Sequence, residues 1–291
     1  MSEYGTGHAL YSIMIKGIKM YKTIASIIFV SLICASSFAA KKSDKFSLPL
    51  NLDFSTSLYN DEDTTRYYTG ELEITPTYNF YREHLIGFDF SAYRETSKFE
   101  KNKIGSETLF YSKGFKSFSN ENKLTKSLKY GLKVSATLPF GRDSYNIGSE
   151  YTTLSASPRL MLDFTEYGAK GLALRYYPSI SKSIHQYETS STGTSNTSYA
   201  ISNSFIISYN FLEKLSFSAS YTHIMPWSYN SKKDTSYHIS QQLSLSLTNQ
   251  IDIYVGHSNS QSMTGPDGQT LDINAIDNST SMINSGISFT F

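Results

Sequence analysis

The residues in this sequence with the clearest potential for catalysis are histidines that have a serine nearby. A histidine and a serine two residues apart share one face of a β-strand, so the imidazole can take the proton of the hydroxyl and activate it. His257 has serines one and three residues on, at Ser258 and Ser260, and neither shares its face. His238 and Ser240 have the right spacing, but no third member of a catalytic group can be named. We therefore predict no catalytic residue.

Other kinds of site are also weakly supported by the sequence. It contains no histidine, cysteine and carboxylate spacing typical of a metal site, and no glycine-rich phosphate loop. Its single cysteine, Cys34, leaves no disulfide or thiol chemistry to consider once the N-terminal segment is removed. A formal net charge of +1 gives no reason to expect a nucleic-acid partner. We expect neither a metal nor a cofactor.

Charged residues within the alternating stretches fall into two groups along the chain. The acidic group comes first and consists of Asp53, Glu71, Glu73 and Asp89. The basic group follows and consists of Lys129, Lys133, Arg159 and Arg175. If both groups line one interior, an acidic and a basic wall create a transverse field that orients dipolar solutes and sets ion preference. The alternative is that these charges pair with neighbours, Asp163 with Lys129 or Arg175 for instance, and merely satisfy a polar interior.

Strands that alternate between apolar and polar residues position these charges. In the run from Leu128 to Leu138, every second residue is apolar or aromatic, and the residues between are lysine, glycine, serine or threonine. Such runs match the ~9 to 11 residues that a tilted strand needs to cross a bilayer. The twelve predicted runs are 46–55, 71–80, 86–92, 108–118, 128–138, 154–164, 172–180, 199–211, 215–227, 237–247, 251–255 and 283–291. Ten or fourteen strands remain alternatives.

Two features of these runs predict irregular pairing. In the fourth run Phe110 and Phe118 have the opposite parity from Leu109, Tyr111 and Phe115, which indicates a β-bulge. Three prolines also stand within runs, although proline cannot donate to a strand ladder. We predict bulges at all three and a shared irregular patch for the last two; they are Pro76, Pro158 and Pro178.

The last nine residues, 283–291, alternate strictly and end in phenylalanine. An exposed apolar edge strand invites aggregation, so this strand needs a partner at its edge and cover for its apolar face. It resembles the C-terminal strand of Gram-negative outer-membrane β-barrels. The resemblance implies an all-β fold, a single transmembrane antiparallel β-barrel of about 12 strands in contact with outer-membrane lipid. It also implies that Ile287, Phe289 and Phe291 form the closure and assembly signal read by the outer-membrane barrel assembly machinery.

The N-terminal segment has the features of an export signal. Basic residues after Met20 precede an apolar core from Ile24 to Cys34 and a stretch of small residues that ends at Ala40. We predict a signal peptide region over residues 1–39, with Met20 as the true start, and a barrel over residues 40–291. A lipoprotein signal at Cys34 is the rival interpretation. A cleaved signal and a barrel together predict the Gram-negative outer membrane as the location.

The small polar residues of runs eight to ten suggest what such a barrel does. Those that face inward are Ser202, Ser204, Ser208, Ser216, Ser218, Ser220, Ser240, Ser244 and Ser246. Side chains of this size cannot fill a barrel about twelve strands wide, so we expect a water-filled channel that passes small hydrophilic solutes. The architecture is similar to small twelve-stranded porins, although the acidic-oligosaccharide porins of that kind have strongly basic lumens. The alternatives are a structural or adhesive barrel that acts through its loops and, more remotely, a lipid-acting enzyme.

Overall fold

The computed structural model describes residues 45–57, 68–96, 101–104, 107–119, 121–138, 150–231, 234–264, 271–277 and 280–291. The predicted signal region, residues 1–39, therefore lies outside the described residues. So do the predicted polar loop at 60–63 and the loop at 265–268.

Nearly all of the regular structure consists of β-strands. Fifteen strand segments are present: β1 (Phe46–Ser47), β2 (Pro49–Ser57), β3 (Tyr68–Ile74), β4 (Thr77–Tyr81), β5 (His84–Thr96), β6 (Lys101–Ile104), β7 (Glu107–Ser117), β8 (Leu128–Leu138), β9 (Glu150–Asp163), β10 (Leu172–His185), β11 (Thr197–Asn210), β12 (Leu215–Ser228), β13 (Ser236–Ser246), β14 (Ile251–Ser262) and β15 (Met282–Thr290). Two short helices occupy turns, α1 (Lys123–Ser127) and a 3-10 turn at Phe164–Tyr167. No helix among the described residues is long and apolar enough to cross a membrane.

The fifteen segments form a closed antiparallel barrel of twelve strands. Each strand pairs with its neighbours in sequence, and β15 closes the ring against β2, where Ile287 stands opposite Leu52. Three of the twelve strands consist of two segments each: β1 with β2, β3 with β4, and β6 with β7. The second of these strands pairs with the first on one side and with β5 on the other, and β5 pairs with the third on its far side. An even number of strands brings both ends of the barrel chain to one rim. The predicted twelve-stranded transmembrane fold is confirmed.

The rim that holds both chain ends of the barrel, here called the turn end, carries mostly short connections. The other rim, here called the loop end, carries longer ones, such as residues 186–196 between β10 and β11. Large apolar side chains on the outward face of the strands are exposed, including Leu174, Phe205 and Leu245. The inward face is polar. This is the reverse of a soluble protein and is the arrangement that a lipid-facing barrel requires.

The predicted bulge in the fourth strand is confirmed. The register between β7 and β8 shifts between Lys113 and Lys116, so that Gly114 and Phe115 together stand opposite Gly131. The displaced Gly114 N–H donates to the carbonyl of Glu83 at 2.7 Å. Simple alternation assigns Phe115 to the outward face, but because of the register shift its side chain faces the lumen.

The prolines interrupt pairing without inserting a residue. Pro76 lies in the gap between β3 and β4, and the register with the neighbouring strands is the same on both sides of that gap. Pro158 and Pro178 stand opposite each other in a gap of the ladder between β9 and β10, where no residues are paired. The register of the two strands is the same on both sides of this gap. The hydroxyl of Ser157 donates to the Pro178 carbonyl at 2.9 Å. The predicted shared patch is therefore confirmed, whereas the predicted bulges at the three prolines are wrong: a missing donor removes a ladder hydrogen bond but requires no extra residue.

Candidate functional site: the lumen wall

Pairs of hydroxyl groups follow the inward face from β8 to β13. Each pair joins two neighbouring strands, with oxygen–oxygen distances of 2.7 to 2.8 Å; the pairs are Ser135–Ser155, Ser179–Ser202, Ser204–Thr222 and Ser220–Ser240. A hydroxyl both donates and accepts, so each retains capacity for water or a solute after it has bonded to its partner. This part of the lumen is therefore lined by hydroxyl groups that can form hydrogen bonds with water or with a polar solute.

The acidic residues lie together on the inward face of the first three strands. Asp53 on β2 stands directly opposite Glu71 on β3, which places two carboxylates side by side. Glu73 accepts a hydrogen bond from the Asn51 amide at 3.1 Å. Within the described part of the chain, none of these three carboxylates has a basic nitrogen within 4 Å. Three acidic groups that no base neutralises give this side of the lumen a negative field.

Two of the four basic residues are ion-paired. The Lys133 ammonium lies 3.6 Å from the Asp89 carboxylate and 4.2 Å from the centre of the Phe110 ring. The Lys129 ammonium donates to the Asp163 carboxylate at 2.7 Å, near the turn end. The pairing of Asp163 with Lys129 is one of the two named in the alternative interpretation of the lumen charges, the other being with Arg175. For these two lysines, the structure agrees with the alternative interpretation, in which the lumen charges pair with their neighbours.

Arg159 lies within an aromatic cluster instead. Its guanidinium carbon lies 5.3 Å from the centre of the Tyr177 ring, and Phe115 stacks on that ring with a centroid distance of 6.3 Å and an interplanar angle of 24°. Arg159 also donates weakly to the Ser112 hydroxyl at 3.5 Å. Gly131 pairs with Arg159 and stands opposite the bulge that holds Phe115. A Cβ at Gly131 would lie 2.8 Å from the carbonyl oxygen of Lys113, so the bulged backbone leaves no room for a side chain at this position.

Arg175 borders a cavity of about 400 Å³ at the turn end of the lumen wall. The polar groups that line it are Asp163, Thr165, Ser208, Asn210, Ser216 and Ser218. Neither Arg175 nor Arg159 has a carboxylate oxygen within 4 Å among the described residues. These two guanidinium groups are consequently the basic groups most available to a passing solute.

The ring order determines how the two charged walls are arranged. The acidic residues lie on β2, β3 and β5, the basic ones on β8, β9 and β10, and only β7 separates the two sets. The walls are thus adjacent and meet at the contact between Asp89 and Lys133. Strands six apart face each other in a ring of twelve, so Arg175 and Asp53 are the members that stand across the lumen. That the two walls select solutes stays a prediction.

Sequence reasoning missed Phe115 as a lumen residue, because a bulge reverses parity beyond it and the length of the displaced stretch cannot be read from alternation. The adjacent Gly114 was the available signal, since glycine within a strand often marks a bulge.

The proposed assembly residues occupy the closing seam. Phe289 stands opposite Ile251 and Leu50, and Ile287 stands opposite Ile253 and Leu52. Phe291 follows the last strand residue. Their recognition by an assembly machinery stays a prediction.

The two histidines considered for catalysis, His238 and His257, lie on opposite faces of the barrel wall. His238 stands opposite Thr222 and Ser260 on the lumen face, and His257 stands opposite Gln241 and Ile283 on the outward face. No hydrogen bond joins either imidazole to a serine within the ranges that the structure describes.

Comparison with known proteins addresses the fold. No protein-family model matches the sequence, and no curated protein matches it in sequence. The structure is similar to the outer-membrane channel from Pseudomonas putida F1, with a TM-score of 0.59 and 9% identity over 85% of this chain and 95% of that one. The fold is that of an outer-membrane β-barrel. It is also similar to the NanC porin, with a TM-score of 0.51 and 10% identity over 83% of this chain and 98% of that one. The resemblance to outer-membrane β-barrels is confirmed for the fold, with no family assigned.

Proposed function

We propose that this protein is a porin-like channel of the Gram-negative outer membrane, through which small hydrophilic solutes diffuse. The observation that carries the proposal is the polar inward face of a closed twelve-stranded barrel, lined by paired hydroxyl groups and by charges. A lumen of this width with small side chains holds water, and water with fixed charges is a path for polar solutes. The partners that follow are outer-membrane lipid, the barrel assembly machinery and the solutes themselves.

Selectivity is proposed to depend on the unpaired charges. Lys129 and Lys133 are each neutralised by a nearby carboxylate, so they contribute little field at a distance. Arg159 and Arg175 have no carboxylate partner among the described residues, and Arg175 stands across the lumen from Asp53 of the acidic cluster. A solute that carries both polar and charged groups would orient between these two sets as it passes.

Reconstitution tests the channel first. Liposomes that contain the purified protein should swell in solutions of small sugars, whereas protein-free liposomes should not. Exclusion of small sugars would contradict the channel and favour a structural or adhesive barrel that acts through its loops.

Charge reversal tests the selectivity. In planar bilayers under a salt gradient, the Arg159→Glu/Arg175→Glu variant should shift the reversal potential toward cation preference. The matched control is Arg82→Glu/Lys170→Glu, which makes the same change of charge at exposed turn residues. An unchanged reversal potential in the lumen variant, or an equal shift in the control, would overturn the assignment of selectivity to the two arginines.

A further inference from the structure

Residues 271–277, here called the strap, follow β14 and fold back onto the barrel. Leu271 forms an isolated antiparallel bridge with Thr264, and the N–H of Asp272 donates to the carbonyl of Met263 at 2.9 Å. The N–H of Asp277 donates to the hydroxyl of Ser281 at 2.9 Å. Both ends of the strap are therefore held close to the strands that flank it.

The strap lies on the outward face of the barrel, as the strand register shows. Tyr237 has the same parity as Leu243, and Asn259 has the same parity as Val255, without a register shift in β13 or β14. Leu243 and Val255 are exposed outward residues, at 43% and 50%, whereas Tyr237 and Asn259 are both 0% exposed. A cover on the outer wall accounts for this difference.

Asn274 of the strap provides the contacts that hold this cover in place. Its carbonyl accepts from the Tyr237 hydroxyl at 3.1 Å and from the Asn259 amide at 2.6 Å, and its N–H donates to the Tyr237 hydroxyl at 2.7 Å. Gln261 donates to the same hydroxyl, and Thr280 donates to the Asn259 side chain. The covered patch is thus a satisfied polar network on the outward wall near the loop end.

A polar patch at this place requires cover in a membrane. The outward side chains of β14 are apolar only as far as Val255, after which His257, Asn259 and Gln261 follow. Lipid offers no hydrogen bonds, so unsatisfied polar groups facing it cost several kcal/mol each. Asn274 of the strap and Thr280 provide the partners of Asn259, and Gln261 bonds to the Tyr237 hydroxyl, which the strap covers.

The outer side of the strap is apolar. Leu271, Ile273 and Ile276 are 73%, 43% and 69% exposed. Below the covered patch, the outward wall continues with exposed apolar residues such as Val255 and Ile283. The strap thus extends the apolar surface toward the loop end where the strands themselves turn polar.

We propose that the strap is part of the lipid-facing surface and that its partner is the acyl-chain region of the outer leaflet. This goes beyond the channel function, which does not depend on where the connection after β14 lies. The argument for lipid as the occupant is the continuity of Leu271, Ile273 and Ile276 with the exposed apolar wall beneath them.

Tryptophan fluorescence in brominated lipid tests the proposal. The only native tryptophan, Trp227, is first replaced by phenylalanine. The variants Ile276→Trp and Leu271→Trp then report on the strap, with Val255→Trp as the lipid control and Thr192→Trp, in the exposed connection after β10, as the water control. The proteins are placed in phosphatidylcholine vesicles with or without bromine on the acyl chains.

Strap tryptophans should be quenched by the brominated chains at least half as strongly as Val255→Trp, and should resist aqueous iodide. Quenching by iodide to the extent seen for Thr192→Trp would overturn the lipid contact. Protection from both quenchers would also overturn it and would indicate cover by protein, such as a second copy. A Val255→Trp variant that bromine does not quench would refute membrane insertion itself, a failure distinct from that of the strap.

Discussion

Gly87 on β5 faces the lumen directly beneath the ring of Phe110 on β7. A methyl group added at Gly87 would lie 2.8 and 3.0 Å from two ring carbons of Phe110 and nearer still to a third. Non-bonded carbons are stable at about 3.5 to 4.0 Å, so in Gly87→Ala the ring has to move by about 1 Å. Phe110 is only 8% exposed, and the Lys133 ammonium lies 4.2 Å from the centre of its ring, so the ring has little free space to enter.

The expected net effect follows from two opposing contributions. Overpacking of this kind lowers the free energy of unfolding by about 1 to 3 kcal/mol, whereas replacing a strand glycine by alanine raises it by about 0.5 to 1 kcal/mol. We expect Gly87→Ala to lower the free energy of unfolding by about 1 to 2 kcal/mol. Gly70→Ala is the matched control, because its added methyl would lie 3.8 Å from the Phe54 ring, an ordinary contact. It should be neutral or slightly stabilising.

Urea unfolding in lipid vesicles, followed through the fluorescence of Trp227, measures both variants. The effect of Gly87→Ala should shrink in a Phe110→Leu background, because the smaller side chain can move aside. If Gly87→Ala were as harmless as Gly70→Ala, or equally damaging with and without Phe110→Leu, the steric explanation would be refuted.

Two further predictions concern the turn end and the strap. Lys129→Met should lower the free energy of unfolding by less than about 1 kcal/mol, and the loss should shrink in high salt, because both side chains of the pair with Asp163 are 27% exposed. Denaturant titration at two salt concentrations measures this loss. A loss above about 2 kcal/mol would contradict the prediction. Tyr237→Phe removes the hydroxyl that both accepts from and donates to Asn274, so it should lower stability by about 1 to 3 kcal/mol. Hydrogen exchange over residues 271–277 should rise in that variant, and unchanged protection there would count against the hydroxyl as the attachment point.

The strands could be predicted from the sequence because a barrel in lipid enforces alternation along every crossing. β8, which runs from Leu128 to Leu138 as predicted, is a clear example. Pairing of Asp163 with Lys129 or Arg175 was the example given for the alternative interpretation of the lumen charges, and the structure contains the pair with Lys129. Both inferences use only the alternation of residues along a strand and the closeness of residues on either side of a turn, and a single sequence shows both.

The strap could not be predicted by the same rules. Tyr237 begins the predicted run 237–247 and lies on the outward face by parity, but its burial depends on a segment more than thirty residues later in the chain. The strap alternates between apolar and polar residues only from Leu271 to Ala275, which is shorter than a membrane-crossing strand, and its attachment uses the backbone of Asn274. Backbone contacts leave little trace in residue type, so the cover is visible only in three dimensions.

Two of the irregularities of the barrel lie next to Arg159. The bulge at Gly114 and Phe115 stands opposite Gly131, Gly131 pairs with Arg159, and the next gap in pairing lies between β9 and β10, where Tyr177 stands opposite Arg159. Bulges and gaps re-aim side chains, and here they allow an aromatic ring from β7 to stack on one from β10 across two intervening strands. Regular pairing would instead turn Phe115 toward lipid and leave Tyr177 without that contact. Two departures from regular pairing thus lie beside Arg159, which has no carboxylate partner among the described residues, and this is the position at which the proposed selectivity should be most sensitive to substitution.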